Sequence, residues 1–343
     1  KSYPTFINII MSNIVSQIGN TPLIYLEEVS KLTSCKIYGK AEFLNPGLSV
    51  KDRAALSIIE NAEKRGDLRS GGTIVEGTAG NTGIGIALVA NAKGYNVKII
   101  IPETQSQEKF DTLNALGVEL IKVPAVPFAD PNNYQHIAKR IAKEEMRTNP
   151  NGAIFADQWN NLDNMSAHYS TTGPEIYNQT NGEVDAFICS VGTGGTLSGV
   201  SKYLREKNSS VKTGIADPKG AAMYNFFKND QVKATQGNSI SEGIGLGRVT
   251  PIIEEIEKVD YAYSIDDRDA LPYIYNLVKN EGIILGGSSA INIAGAVNLA
   301  QDIGPGKTIV TILCDHGSRY QSKIYNTKFL KDKSLPIPDW LRS

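Results

Sequence analysis

AFICSVGTGGTLSGV, residues 186–200, passes from an apolar run of strand character into Gly192, Thr193, Gly194, Gly195 and Thr196, and then into helical spacing. Glycines let backbone N–H groups come close to an anion, and the start of a helix adds about half a positive charge there. Thr193 and Thr196 add hydroxyls to the same turn. Two nucleotide cradles fail on spacing. A P-loop requires Gly-Lys-Ser/Thr, and a GxGxxG dinucleotide fingerprint requires glycine where Leu197 stands. A cup for one phosphate is the expectation, with a ligand-free strand-to-helix turn as the alternative.

The same grammar repeats along the chain. KIYGKAEF, TIVEGT, NVKIIIP, VELIKVP, AIFADQ, KTGIADP and TIVTILCD read as short buried strands, separated by helical patterns such as TGIGIALVANAKG and NYQHIAKRIAKEEMR. Continuous apolar strands alternating with helices predict an α/β fold with mostly parallel sheets and right-handed crossovers. At 343 residues the chain is long for one core, so two domains sharing one site are expected. The loop VPAVPFADPNN at 123–133 reads as a surface excursion, and QWNNLDNMSAH as a domain junction. Ligands of such sheets bind outside the carboxyl ends of the strands, which gives motifs at strand ends the most weight.

Three such motifs stand out. In EGTAGNTGIGIA (76–87), Thr78, Asn81, Thr82 and the helix-start amides could bind a carboxylate, or Thr78 or Asn81 could simply cap the helix. In NPGLSVKDRAAL (45–56), Lys51 sits at the start of a helix, where the macrodipole disfavours a cation and favours a nucleophilic amine. A solvated lysine explains that stretch as well. In GIILGGSSAINIAGA (282–296), a strand is expected to end at Gly286, and Ser288 or Ser289 either caps the next helix or meets a ring nitrogen. One lysine, one phosphate cup and one such serine together describe a site for pyridoxal 5′-phosphate.

Charge and composition narrow the class. Lys and Arg number 35 against 36 Asp and Glu, a net charge of −1, which argues against a nucleic-acid partner. No apolar run reaches about 18 residues, so no membrane partner or span is expected. The opening KSYPTFINIIMSN has no small-residue cleavage site and is not read as a secretory signal. Three dispersed cysteines and three histidines suggest a reducing, cytoplasmic setting without a metal site.

The chain resembles the cysteine synthase and cystathionine β-synthase family of pyridoxal-phosphate enzymes, closest to the cysteine synthases. The likeness runs in order through IGNTPL (18–23), NPGLSVKDR, EGTAGNTGIGIA, DQWNN, HYSTTGPEI, GTGGTLSGVSKYL, ADPKGA, SEGIG, GGSSA and CDHGSRYQSK (314–323). The resemblance implies the tryptophan-synthase-β-like fold: two three-layer αβα domains with mostly parallel twisted sheets and the cofactor in the crevice between them. It implies a smaller mobile domain over 47–160 and a larger, phosphate-binding one over 14–46 plus 161–330. It makes Lys51 the Schiff-base lysine and proton carrier. Asn81 faces the cofactor's 3′-oxygen, Gly192 through Thr196 its phosphate, and Ser288 its pyridine nitrogen. Thr78, Ala79, Gly80, Thr82 and Gln158 surround a substrate carboxylate, and Gly243 lies near the substrate amine.

The implied reaction is β-replacement, forming L-cysteine from O-acetylserine or another activated serine and sulfide. Cysteine desulfhydration and cystathionine synthesis from homocysteine are its alternatives within the fold. A homodimer, and serine acetyltransferase as a partner, follow from the same resemblance. Only 20 residues follow CDHGSRYQSK, an expectation against the regulated cystathionine synthases. Three departures bear on the substrate. Ala79 replaces the usual serine of TSGNTG, which predicts weaker or altered substrate binding. Asp157-Gln158-Trp159 replaces Asn-Gln-Phe, and Leu246-Gly247-Arg248 stands where an aromatic residue is usual after GIG. Arg248 either favours an anionic or carboxylate-bearing substrate or is a surface arginine.

Overall fold

The computed structural model describes residues 13–78 and 80–341. Ten strands form two sheets: β1 (Leu23–Tyr25), β2 (Lys36–Ala41), β3 (Thr73–Gly77), β4 (Asn96–Pro102), β5 (Glu119–Val123), β6 (Ala153–Phe155), β7 (Ala186–Cys189), β8 (Lys212–Pro218), β9 (Tyr261–Ile265) and β10 (Thr308–Leu313). The six-stranded sheet has the order β1-β2-β10-β7-β8-β9 and the four-stranded sheet β5-β4-β3-β6. Among the strands of the described residues only the β1–β2 pair is antiparallel, with Ile24 opposite Gly39. All other pairs are parallel, such as Val310 with both Tyr38 and Phe187.

Alternation along the strands builds the layers. Ile74 and Ile99 pack into one apolar cluster and Val75 and Ile100 into another, so the four-stranded sheet carries helices on both faces. The six-stranded sheet does the same, with Ile309 and Leu313 on one side and Val310 and Ile312 on the other. Every residue of β3, β7 and β10 is buried, which is why these segments are mostly apolar, with Thr73, Glu76, Thr308 and Thr311 as buried polar residues among them. Each fully buried Ile or Val side chain contributes about 1.5–3 kcal/mol.

Helix Lys51–Arg65 shows how the sequence places the site. Ala54, Ala55, Ile58, Ile59 and Ala62 give it a buried stripe, and Gly66, at φ +80°, ends it with an N–H to the carbonyls of Ala62 and Glu63. Its start is tied to the end of β10: the Val50 N–H donates to the Cys314 carbonyl (2.9 Å) and the His316 N–H to that of Leu48 (3.1 Å). Arg53 then binds both oxygens of the buried Glu42, at 2.7 and 2.8 Å, and also reaches Glu175. Removing one partner of such a buried pair costs roughly 3–5 kcal/mol.

Two local expectations change. YAYSI forms β9, an edge strand whose half-buried Tyr, Ala and Ser residues lack the apolar run that marks the inner strands. The strand expected before Gly286 is only a single bridge between Leu285 and His316. There the Gly286 N–H is taken by the Asp315 carbonyl at 3.1 Å, and a helix starts at once.

Candidate active site

The carboxyl ends of strands from both sheets meet at one cavity of about 280 Å³. Lys51, Thr78, Gly80, Asn81, Thr82, Gln158, Gly243 and Ser288 line it, as do Gly192, Thr193, Gly194, Gly195 and Thr196. Ala79 lies outside the described residues. The other residues expected to serve as Schiff-base, cofactor or substrate groups therefore share one space, although they are spread over more than 230 positions of the chain (51 to 288); Asp157, Arg248 and Ser289 do not line it.

Lys51 is the first residue of its helix, and its neighbours carry the ordinary electrostatics of a helix start. Asp52 accepts from the Gly47 N–H, and Arg53 is committed to Glu42 and Glu175. Among the described residues the Lys51 Nζ has no hydrogen-bond or ion-pair partner, yet it faces the cavity. Burial, chiefly, holds its pKa below that of an ordinary lysine, and the charge of Lys109 adds to the shift; Cys314, Asp315 and Cys189 oppose it.

The glycine turn at 192–196, where a phosphate cup is expected, is set by close packing. Helix Gly195–Lys207 has Gly194, at φ +94°, at its cap position, so no cap side chain covers its start, although the Thr193 hydroxyl accepts from the Gly195 N–H at 3.3 Å. A Cβ on Gly192 would run into the Gly243 carbonyl, and one on Gly195 into Asn164. Behind the cup, His168 touches Thr196 through Nε2 at 3.3 Å and Thr172 through Nδ1 at 2.9 Å. Burial first, then Arg53, pushes the His168 pKa down to about 3, so a neutral ring supports the turn. Gly192→Ala should force the two loops apart, at about 1–3 kcal/mol for overpacking. We expect weaker cofactor retention with an intact fold, measured by visible absorbance after dialysis and by circular dichroism.

The second helix start has the same construction. Helix Asn81–Lys93 begins at Gly80, at φ +127°, and again no side chain caps it. Neither Thr78 nor Asn81 is the cap; Thr78 accepts from the Gly80 N–H at 3.2 Å. Thr82 donates to Gln158 Oε1 at 2.5 Å. Asn81 is oriented by the six-stranded side: its Nδ2 donates to Asp315 at 2.7 Å and its Oδ1 accepts from Arg319 at 2.8 Å. One Nδ2 hydrogen remains for a ligand oxygen.

Ser288 does not cap its helix either, since the cap position is Gly286. It is buried beside Cys314, whose thiol is pushed up to about 12 by burial and then by Asp315, with Ser288 acting the other way. Ser289 instead accepts from the Cys314 N–H at 2.8 Å. A neutral thiol and a neutral hydroxyl thus form this wall of the cavity.

The sequence reading missed Lys109 and Glu242. Lys109, in the first turn of helix Gln107–Ala115, bonds Glu242 across the crevice, and Lys323 bonds Glu242 from the other side. The signal was present: IPETQSQEK is a third strand end followed by a helix-start lysine, and Glu242 immediately precedes Gly243.

An unpaired amine, an uncapped glycine-lined helix start and a buried hydroxyl on one cavity fit pyridoxal phosphate: each offers a partner to its aldehyde, its phosphate or its ring. The comparisons agree. The family model described as pyridoxal-phosphate dependent enzyme matches residues 14–315. Cysteine synthase 1 of Neurospora crassa is 46% identical over 338 residues, covering 97% of this chain and 89% of that protein. Cystathionine β-synthase of Rattus norvegicus is 38% identical over 95% of this chain and 57% of its own length. The crystal structure of an O-acetylserine-dependent cystathionine β-synthase from Helicobacter pylori superposes with a TM-score of 0.80 at 31% identity, covering 92% of this chain and 98% of that one. The chain belongs to the pyridoxal-phosphate-dependent enzymes, in their cysteine synthase and cystathionine β-synthase group.

Proposed function

We propose that this enzyme forms L-cysteine by β-replacement from O-acetylserine, or another activated serine, and sulfide. The observation that carries the reading is the unpartnered Lys51 amine, set between an anion cup and a second uncapped helix start in one cavity. Similarity to cysteine synthases over almost the whole chain supports it. When bound, pyridoxal phosphate supplies the electron sink that makes the α-proton removable and the β-substituent a leaving group.

The chain's own residues do the rest. The amides of 192–196 and the Thr193 and Thr196 hydroxyls hold the phosphate, Asn81 meets the 3′-oxygen, and Ser288 meets the ring nitrogen. A neutral hydroxyl there leaves that nitrogen without a fixed charge, which suits elimination and replacement over transamination. The loop of Thr78, Ala79, Gly80 and Thr82, with Gln158, takes the substrate carboxylate, and Gly243 borders its amine. Lys51 Nζ takes the α-proton and returns it.

The described part of the four-stranded sheet falls within residues 73–155, which supports a smaller, mobile domain over 47–160 closing on a larger one over 14–46 plus 161–330. A homodimer and docking of a serine acetyltransferase tail complete the proposal. No helix among the described residues is long and apolar enough to cross a membrane, and the three cysteines are unpaired, which supports a reducing compartment such as the cytoplasm.

The test offers the enzyme O-acetylserine with sulfide, L-cysteine alone, and serine with homocysteine. Cysteine formation should dominate. Sulfide and pyruvate release from cysteine as the fastest reaction would instead make the enzyme a desulfhydrase, and cystathionine as the main product a cystathionine synthase.

A further inference from the structure

Two features left unexplained by the proposed function meet in space: the 123–133 excursion and Arg248. The excursion is a fixed arm. Asn133 caps the following helix at Gln135 N (3.0 Å) and donates to the Val126 carbonyl at 2.8 Å. Arg140 holds the Pro131 carbonyl at 2.8 Å, and His136 contacts the Phe128 carbonyl at 2.7 Å with its ring 4.6 Å from that of Phe128. These bonds present the Phe128 ring, 40% exposed, to the opposite side of the crevice.

Arg248 comes from that opposite side. Its loop is anchored to the six-stranded unit by the Gly245 N–H on the Val191 carbonyl, at 2.9 Å. Its guanidinium carbon lies 4.0 Å from the Phe128 ring centre and 5.7 Å from that of Trp159, and Nη2 donates to Gln135 at 3.1 Å. Trp159 lines the cavity, as does Tyr134, whose hydroxyl accepts from Gln135 at 3.2 Å. Arg248 is therefore one residue removed from the reacting space, half-buried, and shared between the two sides. A guanidinium has five N–H bonds, and only the one to Gln135 finds a protein acceptor among the described residues. Burial is the larger influence on its pKa and lowers it, while Asp157 and Tyr134 act electrostatically in the opposite direction.

We propose that Arg248, clasped between Phe128 and Trp159, is a specificity-determining residue for the sulfur acceptor: it admits the small hydrosulfide anion and turns away thiols that carry an amino-acid body. The proposal rests on the cysteine synthase reading. Charge and shape act together. An unsatisfied cation at the rim raises the local concentration of a small anion, an effect worth about 10-fold or more in encounter rate. A flat side chain stacked on an aromatic ring fills the width that a longer acceptor would need.

The experiment compares wild type, Arg248→Ala, Arg248→Lys and Phe128→Ala, all as holoenzyme, with O-acetylserine and either sulfide or homocysteine. Arg248→Ala should raise KM for sulfide about 10-fold and raise kcat/KM for homocysteine. The spectral response to O-acetylserine alone should stay at the wild-type level. Phe128→Ala should improve homocysteine use with little change for sulfide, and Arg248→Lys should keep most of the sulfide KM. A separate reading comes from Trp159 fluorescence in a Trp340→Phe background, which removes the other, exposed tryptophan: iodide quenching should fall relative to acrylamide in Arg248→Ala. An unchanged homocysteine-to-sulfide ratio in both alanine variants overturns the proposal. So does poorer homocysteine use in Arg248→Ala, which would make the arginine a carboxylate ligand. If wild type makes no cysteine from sulfide, the underlying function fails instead, and the quenching ratio still reports whether Arg248 gathers anions.

Discussion

Lys51→Ala is expected to lower cysteine formation by about 10³-fold or more, since in the proposed function one side chain both holds the cofactor and moves the proton. Stability should change little. The Nζ has no protein partner among the described residues, so its removal orphans no buried group, and the alanine that replaces it is a better helix former. Lys51→Arg keeps a cation but cannot become a free amine near neutral pH, and it should be equally inactive. The visible band of the internal Schiff base should vanish in both variants, while added pyridoxal phosphate can still occupy the cup at 192–196. The pH dependence follows from the same burial. A lysine whose pKa is lowered loses its proton at lower pH than a solvated one, so wild-type activity should persist further toward neutral pH and fall on the acid side as the amine is protonated. Retention of even a tenth of the activity in Lys51→Ala would exclude this role.

How much of this was legible in the sequence depended on whether a feature is local. β4 and β8 span NVKIIIP and KTGIADP: after an exposed first residue nearly every position is buried, and a strand covered on both faces favours apolar and small residues. The two cups were legible because an uncapped helix start after a strand needs small residues, and Gly80, Gly192, Gly194 and Gly195 supplied them. β9 was not, since an edge strand needs no apolar run. The roles of Thr78, Asn81 and Ser288 stayed open in the sequence because capping and ligand binding use the same residue types; only the geometry showed glycines at the cap positions. Lys109 and Glu242 left only a faint local signal, and the reason is different. Each is an ordinary charged residue locally, and their meaning is a pairing over 133 positions.

That pairing carries the second large effect. Lys109 is 1% exposed; its stem covers Gly80, where a Cβ would lie 2.5 Å from the Lys109 Cδ, and its ammonium is held by Glu242 next to Gly243. One side chain thus ties the Gly80 loop, proposed to take the substrate carboxylate, to the Gly243 loop, proposed to border its amine. A second tie runs beside it, with Glu108 accepting from the Ser322 N–H at 2.8 Å and its hydroxyl at 2.9 Å. Burial pushes the Glu242 pKa up, but Lys109 and Lys323 outweigh it and hold the carboxyl below its usual range. For a depressed carboxylate the linked stability is present above the unfolded pKa and is lost as pH falls through the folded one, so the tie holds at neutral pH and opens only in acid. Lys109→Met keeps the stem and removes the charge. Glu242 retains Lys323, so the cost should fall below the roughly 3–5 kcal/mol of a fully orphaned buried charge. We expect KM for O-acetylserine to rise about 10- to 100-fold, equivalent to about 1.4–2.7 kcal/mol, with a smaller change in kcat. Glu242→Gln should shift KM in the same direction, and the exchange Lys109→Glu with Glu242→Lys should recover part of the affinity that either single charge reversal destroys. If Lys109→Met lowers Tm but leaves the KM for O-acetylserine unchanged, the pair only braces the fold. If instead KM rises while Tm holds, the pair's work is to bring the two loops together around the amino acid.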